Sequence, residues 1–384
     1  MHGLRPAITT LRAQHISEVS RLALGDPDVI ALWFGESDLV TPDFVRDAAK
    51  RALDQGKTFY DHAGGIKPLR EALVAYMARI HGVTIPLNRV LVPGSAMLCI
   101  SMAVGMMVAP GDNIVVISPV WPNVSLVIES RGAEARHVPL LARDGHFHLD
   151  LDQVAAQIDA RTRAVFVASP GNPTGWIMDR AQQKQLLDLT RSKKIGLIAD
   201  EVYTRLVYDG QPAAPSFLEI ATDDDLVFVV NTFSKAWAMT GWRIGWMVTP
   251  AAASAQFNTM AMIENTGATV FAQYAAIEAL EKGEDFVAQI IAKCRAGRDR
   301  VEARLSQHPR IQWMRPDGAF YAYFGVAGMD NSLQFAQDLV RKARVGLAPG
   351  SAFGPGNDGY LRLCFAQSAE RLDIALDRLV AALA

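Results

Sequence analysis

The sequence predicts an α/β protein: a large domain with a mostly parallel sheet covered by helices, plus a smaller α+β domain. Three observations carry this. Short apolar runs at 164–168, 195–199, 226–230 and 244–248 alternate with helical patterns, as parallel strands buried on both faces do. With 384 residues, half apolar and a fifth charged, the chain is long enough for two domains and a large core. After about residue 282 the pattern changes to long charged helices, such as FVAQIIAKCRAGRDRVEARL, and then isolated strands. The expected division is a large domain at 44–282 and a small one built from 1–43 and 283–384.

Composition narrows the chemistry. A net charge of −2 without any Lys/Arg block argues against a nucleic-acid footprint and favours small-molecule work. Cys99, Cys294 and Cys364 are too far apart for a CxxC pair, so buried free thiols in a reducing compartment are expected. The N-terminal MHGLRPAITTLRAQ lacks the apolar core of a secretory signal, and the cytoplasm is the expected location. Residues 90–111 hold no charge and superficially resemble a membrane span. Pro93-Gly94 and Pro110-Gly111 bracket them and Gly105 divides them, so a helix buried between layers is the better reading, with no membrane partner.

In open α/β sheets ligands sit beyond the carboxyl ends of the strands. Four groups lie there: Trp121 after IVVISPV, Asn172 after AVFVAS, Asp200 after IGLIA and Lys235 after LVFVV. Lys235 stands in NTFSKAWAMTGWRIGW among Phe233, Trp237 and Met239, where poor solvation disfavours the ammonium form and improves the amine as a nucleophile. A Schiff-base lysine needs that. Ser234 and Arg243 add a hydroxyl and a guanidinium, donors suited to phosphate. On this stretch alone, a buried lysine paired with a carboxylate explains the pattern equally well. Asp200 ends a wholly apolar strand and must find a partner; a helix N-cap role suits Glu201 or Asp179 better. Asn172 also reads as a turn residue in GNPTG, and Trp121 as a core tryptophan.

Taken together, NPTG at 172–175, DEVY at 200–203, SK at 234–235 and GWRIGW at 241–246 resemble the class I, aspartate aminotransferase-like pyridoxal-phosphate enzymes of fold type I. Supporting pieces run end to end: GESDLVTP at 35–42, YDHAGGIKPLR at 60–70, PGD at 110–112, SPVWPN at 118–123, GAFYAYF at 318–324, and LAPGSAFG with RLCFA at 347–366. The resemblance implies a seven-stranded, largely parallel sheet, a small domain and a homodimer. It implies that Lys235 holds pyridoxal phosphate as a Schiff base and moves the proton, one amine serving as nucleophile and acid-base group. Asp200 would keep the cofactor's ring nitrogen protonated. Tyr203 and Asn172 resemble the pair on its phenolic oxygen, and Trp121 the aromatic stacked on its ring. Backbone N–H groups of Ser95, Ala96 and Met97, the Ser95 and Ser234 hydroxyls, Arg243, and Tyr60 from the neighbouring subunit would hold the phosphate. Thr269 is a weaker suggestion for a second residue from the neighbour. Arg362, an odd cation in an apolar run, matches the arginine that binds the substrate α-carboxylate, assisted by backbone near Gly35; Trp121 and Asn172 also border the substrate.

The implied function is aminotransferase activity between an amino acid and a 2-oxo acid, by a ping-pong route. Cysteine-conjugate or cystathionine β-elimination on the same cofactor is the alternative, and a non-catalytic protein of the same fold is a third reading. Met97 stands where aspartate-using relatives place a lysine, and no second substrate arginine is identifiable in 256–270. With Trp33, Phe34, Met97 and Tyr321 as lining, an apolar or aromatic side chain is expected over a dicarboxylate one. No metal site is expected: HExxH is absent, and His62, His81 and His137 show no ligand spacing and read as surface or loop residues. The GxGxxG at 354–359 contains Pro355 and precedes a strand, which removes the dinucleotide reading. A Ser234–Lys235 hydrolase dyad is disfavoured on the expectation of an extended strand, whose neighbouring side chains point apart.

Overall fold

The computed structural model describes residues 3–383. The large sheet has seven strands, β1 (Val90–Gly94), β2 (Asn113–Ser118), β3 (Glu134–Pro139), β4 (Thr162–Ala168), β5 (Gly196–Asp200), β6 (Val227–Thr232) and β7 (Gly245–Val248). Their spatial order is β1-β7-β6-β5-β4-β2-β3. β3, β2, β4, β5 and β6 run parallel, whereas β7 is antiparallel to both of its neighbours. β1 therefore points the same way as the parallel set.

This topology positions the site. The chain steps outward from β2 to β3, crosses back to β4, and then proceeds through β5 to β6, so a switch point lies between β2 and β4. The segments carrying Trp121, Asn172, Asp200 and Lys235 leave four consecutive strands at one edge. Ser95, after β1, and Arg243, before the reversed β7, reach the same edge.

The uncharged stretch resolves into β1 and one helix, Ala96–Met107. Cys99, Ile100, Met102, Ala103 and Val104 pack with Ile114, Val116, Phe166, Ile198, Phe228 and Met247, which puts the helix against the sheet. No helix among the described residues is long and apolar enough to cross a membrane.

Beyond the large sheet, Ile311–Gln312, Tyr321–Val326, Tyr360–Cys364 and Ala348–Pro349 form an antiparallel sheet in that order. Helices Glu284–Leu305 and Ala369–Leu383 pack together beside it, and Gly297 allows the approach: a Cβ there would meet the Phe365 carbonyl oxygen at 2.3 Å. Ile30–Ala31 pairs in parallel with Val345–Gly346, tying an early segment to this late one. Helix His15–Arg21 also lies against the late segment, whereas the short helix Pro6–Thr9 lies against helix Asn123–Ser130.

Three local expectations need correction. Ser234 and Lys235 sit in a turn after β6 ends at Thr232, not on an extended strand. Their side chains still do not pair, since Ser234 Oγ meets Thr232 Oγ1 and Lys235 Nζ donates elsewhere. His81 closes helix Lys67–His81 with its ring buried and bonded to Glu219, so it is neither a surface nor a loop residue. His137 lies within β3, where burial holds its imidazole down at about 4; only His62 is an exposed loop residue. All three cysteines are free and buried.

Candidate active site

A cavity of about 430 Å³ opens at the shared strand edge. Gly35, Ala96, Met97, Trp121, Asn172, Asp200, Tyr203, Ser234, Lys235 and Arg243 all line it. So do Phe34, Glu36, Asn123, Thr232, Thr240 and Tyr321.

Lys235 is held between protein groups rather than exposed. Its Nζ donates to the Gly35 carbonyl oxygen at 2.7 Å and lies 5.5 Å from the Tyr203 ring centre and 5.8 Å from that of Phe320. Burial pushes its pKa down to about 8 from 10.5, and the Arg362 charge adds to that direction. An appreciable share of the amine is therefore neutral near neutral pH. Asp200 closes β5 and faces the cavity with a single hydrogen bond, accepted from the Val202 N–H at 3.2 Å. Burial pushes its carboxyl up to about 6, with the Val202 N–H and the Lys235 charge opposing. This acid has spare acceptor capacity aimed at an open space.

Its sequence neighbour differs completely. Glu201 turns away and accepts from Ser216 Oγ at 2.6 Å and from the Phe217 N–H at 2.9 Å. It braces the start of the short 3₁₀ turn Phe217–Glu219, whose N-cap is Ser216, so Glu201 is not the helix N-cap expected of it; Asp179 does cap helix Arg180–Lys193.

The phosphate-type groups lie at the end of the cavity near helix Ala96–Met107. Ala96 and Met97 supply first-turn N–H groups that have no partner within the helix. Ser95 is the N-cap and does not itself line the cavity: its Oγ accepts from the Leu98 N–H at 3.3 Å, leaving only its own proton to donate. Gly245 lets β7 pass close beneath, since a Cβ there would meet Ala96 N at 2.7 Å. Arg243 takes a left-handed conformation, φ 56°, which turns the chain at the rim; its Nη1 donates to the Thr240 carbonyl oxygen at 2.7 Å.

Arg362 lies behind the lining. It is fully buried, donates from Nη1 to Asn172 Oδ1 at 3.0 Å and from Nη2 to the Trp33 carbonyl oxygen, and its Nε has no partner. Its guanidinium carbon stands 4.5 Å from the Tyr321 ring centre and 5.0 Å from that of Phe353. Its hydrogen bonds all go to uncharged acceptors, so a cation is kept here without an anion.

Tyr60 is not brought to this cavity. It is 90 % exposed and shares a separate surface depression with Thr269. Of the four lining residues expected from the sequence, Phe34, Met97 and Tyr321 line the cavity, whereas Trp33 is buried behind it. Sequence reasoning missed Thr232, Thr240, Glu36 and Asn123 as lining residues. Their signal was present in the same motifs: Glu36 follows Gly35, Asn123 ends SPVWPN, and Thr240 Oγ1 donates to Glu36 Oε2 at 2.9 Å.

The family described as aminotransferase class I and II matches residues 27–379. Aspartate aminotransferase of Pyrococcus horikoshii is 32 % identical over 380 residues, covering 98 % of this chain and 96 % of that protein. The arginine–pyruvate transaminase of Pseudomonas aeruginosa is 32 % identical over 366 residues, covering 95 % and 92 %. Among solved structures, aspartate aminotransferase from Thermus thermophilus with maleate superposes with a TM-score of 0.92 at 31 % identity, over the whole of both chains.

Proposed function

This chain belongs to the class I and II aminotransferase family and is a pyridoxal-phosphate-dependent aminotransferase, and from that premise we propose how its residues divide the work. The β-elimination alternative is not favoured, since the relatives aligned above end to end are transaminases. The observation that carries the assignment is convergence: a desolvated amine, an under-bonded buried carboxylate and a helix N-terminus open into one cavity, with an unpaired guanidinium directly behind it.

These residues fit the cofactor. Lys235 is its covalent anchor, because the amine is desolvated and already reaches into the cavity. Asp200 meets the ring nitrogen, an acceptor with spare capacity for a cationic N–H. Ala96 and Met97 N–H groups, the Ser95 and Ser234 hydroxyls and Arg243 hold the phosphate. Trp121 lies against the ring, and Asn172 and Tyr203 bond the phenolic oxygen. The bound cofactor supplies an aldehyde that condenses with amines and a ring that accepts the electron pair left on the substrate Cα.

The chain's own residues do the rest. Arg362 takes the substrate carboxylate, with Asn172 and the Gly35 backbone beside it, and so fixes where Cα stands. With its amine free, Lys235 would take the Cα proton and deliver it to the carbon that had carried the cofactor's aldehyde, across the nitrogen from Cα. Burial already lowers the Lys235 pKa in the cofactor-free chain, which favours the neutral amine needed to take that proton. The protein works as a homodimer, in which Tyr60, exposed on one subunit, reaches the phosphate in the other, with Thr269 near it. Residues 44–282 form the cofactor-holding unit, and 1–43 with 283–384 the unit that brings Arg362 and Gly35. The cations lining the cavity are Lys235 and Arg243, with Arg362 directly behind it, and each already has a task, so the preferred side chain is apolar or aromatic rather than dicarboxylate.

The test is the visible spectrum of the purified protein with pyridoxal phosphate, recorded before and after each amino acid is added without an oxo acid. Conversion to the pyridoxamine form with apolar or aromatic amino acids is expected. A band unchanged by every amino acid contradicts the assignment of these residues, and conversion fastest with aspartate contradicts the side-chain preference.

A further inference from the structure

We propose that Tyr321 is a positioning residue for the transamination: its hydroxyl steers the Tyr203 hydroxyl toward the cavity, while its ring carries the Arg362 guanidinium. The proposal rests on the reading above that Tyr203 serves the cofactor's phenolic oxygen and Arg362 the substrate carboxylate.

Tyr321 opens the strand Tyr321–Val326, which pairs antiparallel with the strand of Arg362. It is fully buried in the fold and yet borders the cavity. Its hydroxyl lies 2.6 Å from that of Tyr203, the two rings meeting edge to face with centres 5.6 Å apart. Neither hydroxyl bonds any other described side chain or backbone group. Two hydroxyl protons share one contact, so one proton is left over. If Tyr321 donates to Tyr203, the spare proton is on Tyr203, which also borders the cavity. A hydroxyl that accepts one hydrogen bond donates the next more strongly.

The surroundings keep this arrangement in place. Burial pushes both phenols above their usual value, so both remain protonated donors at neutral pH. The charged and titratable groups facing the pair are Arg362, Asp200 and Lys235 toward Tyr203, and Arg362, Cys364 and Glu36 toward Tyr321. Gly35 leaves the space that the hydroxyl fills, because a Cβ there would lie 2.0 Å from Tyr321 Oη. On its other side the Tyr321 ring is the platform 4.5 Å from the Arg362 guanidinium carbon. One side chain thus touches the substrate-carboxylate arginine, the cofactor tyrosine and the loop whose Gly35 carbonyl holds Lys235.

The hydroxyl and the ring can be separated. The holoenzymes to compare are wild type, Tyr321→Phe, Tyr321→Leu, Tyr203→Phe and the double variant Tyr203→Phe/Tyr321→Phe. The readouts are the pH midpoint of the bound cofactor's visible absorption, kcat, and KM for the amino acid. A phenolic oxygen left without its donor holds the shared proton more tightly, so Tyr203→Phe raises the midpoint. Tyr321→Phe is expected to raise it by a smaller amount and to lower kcat about five-fold, the scale of one neutral hydrogen bond, with KM within about two-fold. Tyr321→Leu removes the platform too and raises KM. In the double variant the midpoint equals that of Tyr203→Phe alone, because the hydroxyl acts through Tyr203. A wild-type midpoint in Tyr321→Phe, or a shift that adds in full in the double variant, overturns the proposal. If Tyr203→Phe itself leaves the midpoint unmoved, the role of Tyr203 fails and this inference goes with it.

Discussion

Arg205 and Arg362 are both buried arginines, and their surroundings differ in kind. Arg205 is saturated by the fold. It meets Glu284 with two nitrogens at 3.0 and 2.6 Å and also donates to Pro212 O and Tyr76 Oη. Arg362 is more deeply buried and has only a side-chain amide and a carbonyl, with Nε left over. A buried cation without a counter-ion is costly, so its retention marks a place kept for an anion that comes and goes. The same division runs through one dipeptide: Glu201 is bonded into the structure, and Asp200 is left open to the cavity.

The largest effects should come from exchanging the two arginines' fates. Arg362→Leu is expected to reduce kcat/KM for the amino acid by roughly 30-fold to several thousand-fold, the loss of about 2–5 kcal/mol from a charge-assisted pair. Thermal stability should hold or rise, because an unpaired buried charge is removed. Arg205→Leu should do the opposite, lowering Tm through the loss of about 1–3 kcal/mol while kcat/KM of the folded enzyme changes little. Parallel Tm and kinetic measurements check both. An Arg362 variant that unfolds, or that keeps its kcat/KM, would make that arginine structural and end the contrast.

The acidic pair sharpens it. Asp200→Asn should lower kcat by at least about 100-fold, since a neutral amide does not hold a proton on the ring nitrogen. Glu201→Gln should leave kcat near wild type but alter stability and its pH dependence. Burial raises the Glu201 carboxyl from 4.5 to about 7 and that of Asp200 from 3.8 to about 6. The folded state therefore binds these protons more tightly than the unfolded chain does. The contribution is complete below about pH 4 and declines as pH rises to about 7, with Glu201 responsible for the upper part. Unfolding of the cofactor-free protein followed between pH 4 and 8 should show a flatter upper limb in Glu201→Gln. An unchanged limb would mean that Ser216 and the Phe217 N–H hold Glu201 ionised throughout.

Five strands were legible because each is an apolar run, and the ends of four pointed to Trp121, Asn172, Asp200 and Lys235 before any geometry was known. That edge assembled because parallel strands deliver their carboxyl ends to one side. β3, EARHVP, was missed because it is a polar edge strand, and β1 because it opens the uncharged stretch read as a buried helix. What else sequence reasoning missed depended on contacts made over long separations. Tyr321 meets Tyr203 across 118 positions, and no local pattern marks that pairing. His81 read as a loop residue because its partner, Glu219, lies 138 positions away; the bond that buries the ring is invisible locally. Ser234 and Lys235 read as strand because they closely follow the apolar run 226–230, but β6 stops at Thr232, where the chain turns. The hydroxyl of Ser95 had a competing local use as a helix cap, which only geometry could weigh against phosphate binding.

The smallest effect tests whether desolvation, the feature shared by Arg362 and Lys235, is strong enough to set reactivity. In the cofactor-free protein Lys235 has its pKa pushed down to about 8 by burial, so the folded chain releases this proton where the unfolded chain still holds it. Stability linked to this group should rise with pH between about 8 and 10.5, because there the unfolded state binds more protons. Reactivity should follow the neutral amine. Competitive acylation across pH 6 to 11, with the Lys235 peptide quantified by mass spectrometry against a free lysine standard, should give a midpoint near 8. A second arm uses Arg362→Leu, which removes the neighbouring positive charge and should move the midpoint upward by a fraction of a unit, since burial is the larger cause. A Lys235 midpoint near 10.5 in the folded protein would show that the cavity solvates the amine fully. The contrast between saturated and unsaturated buried cations would then rest on Arg362 alone.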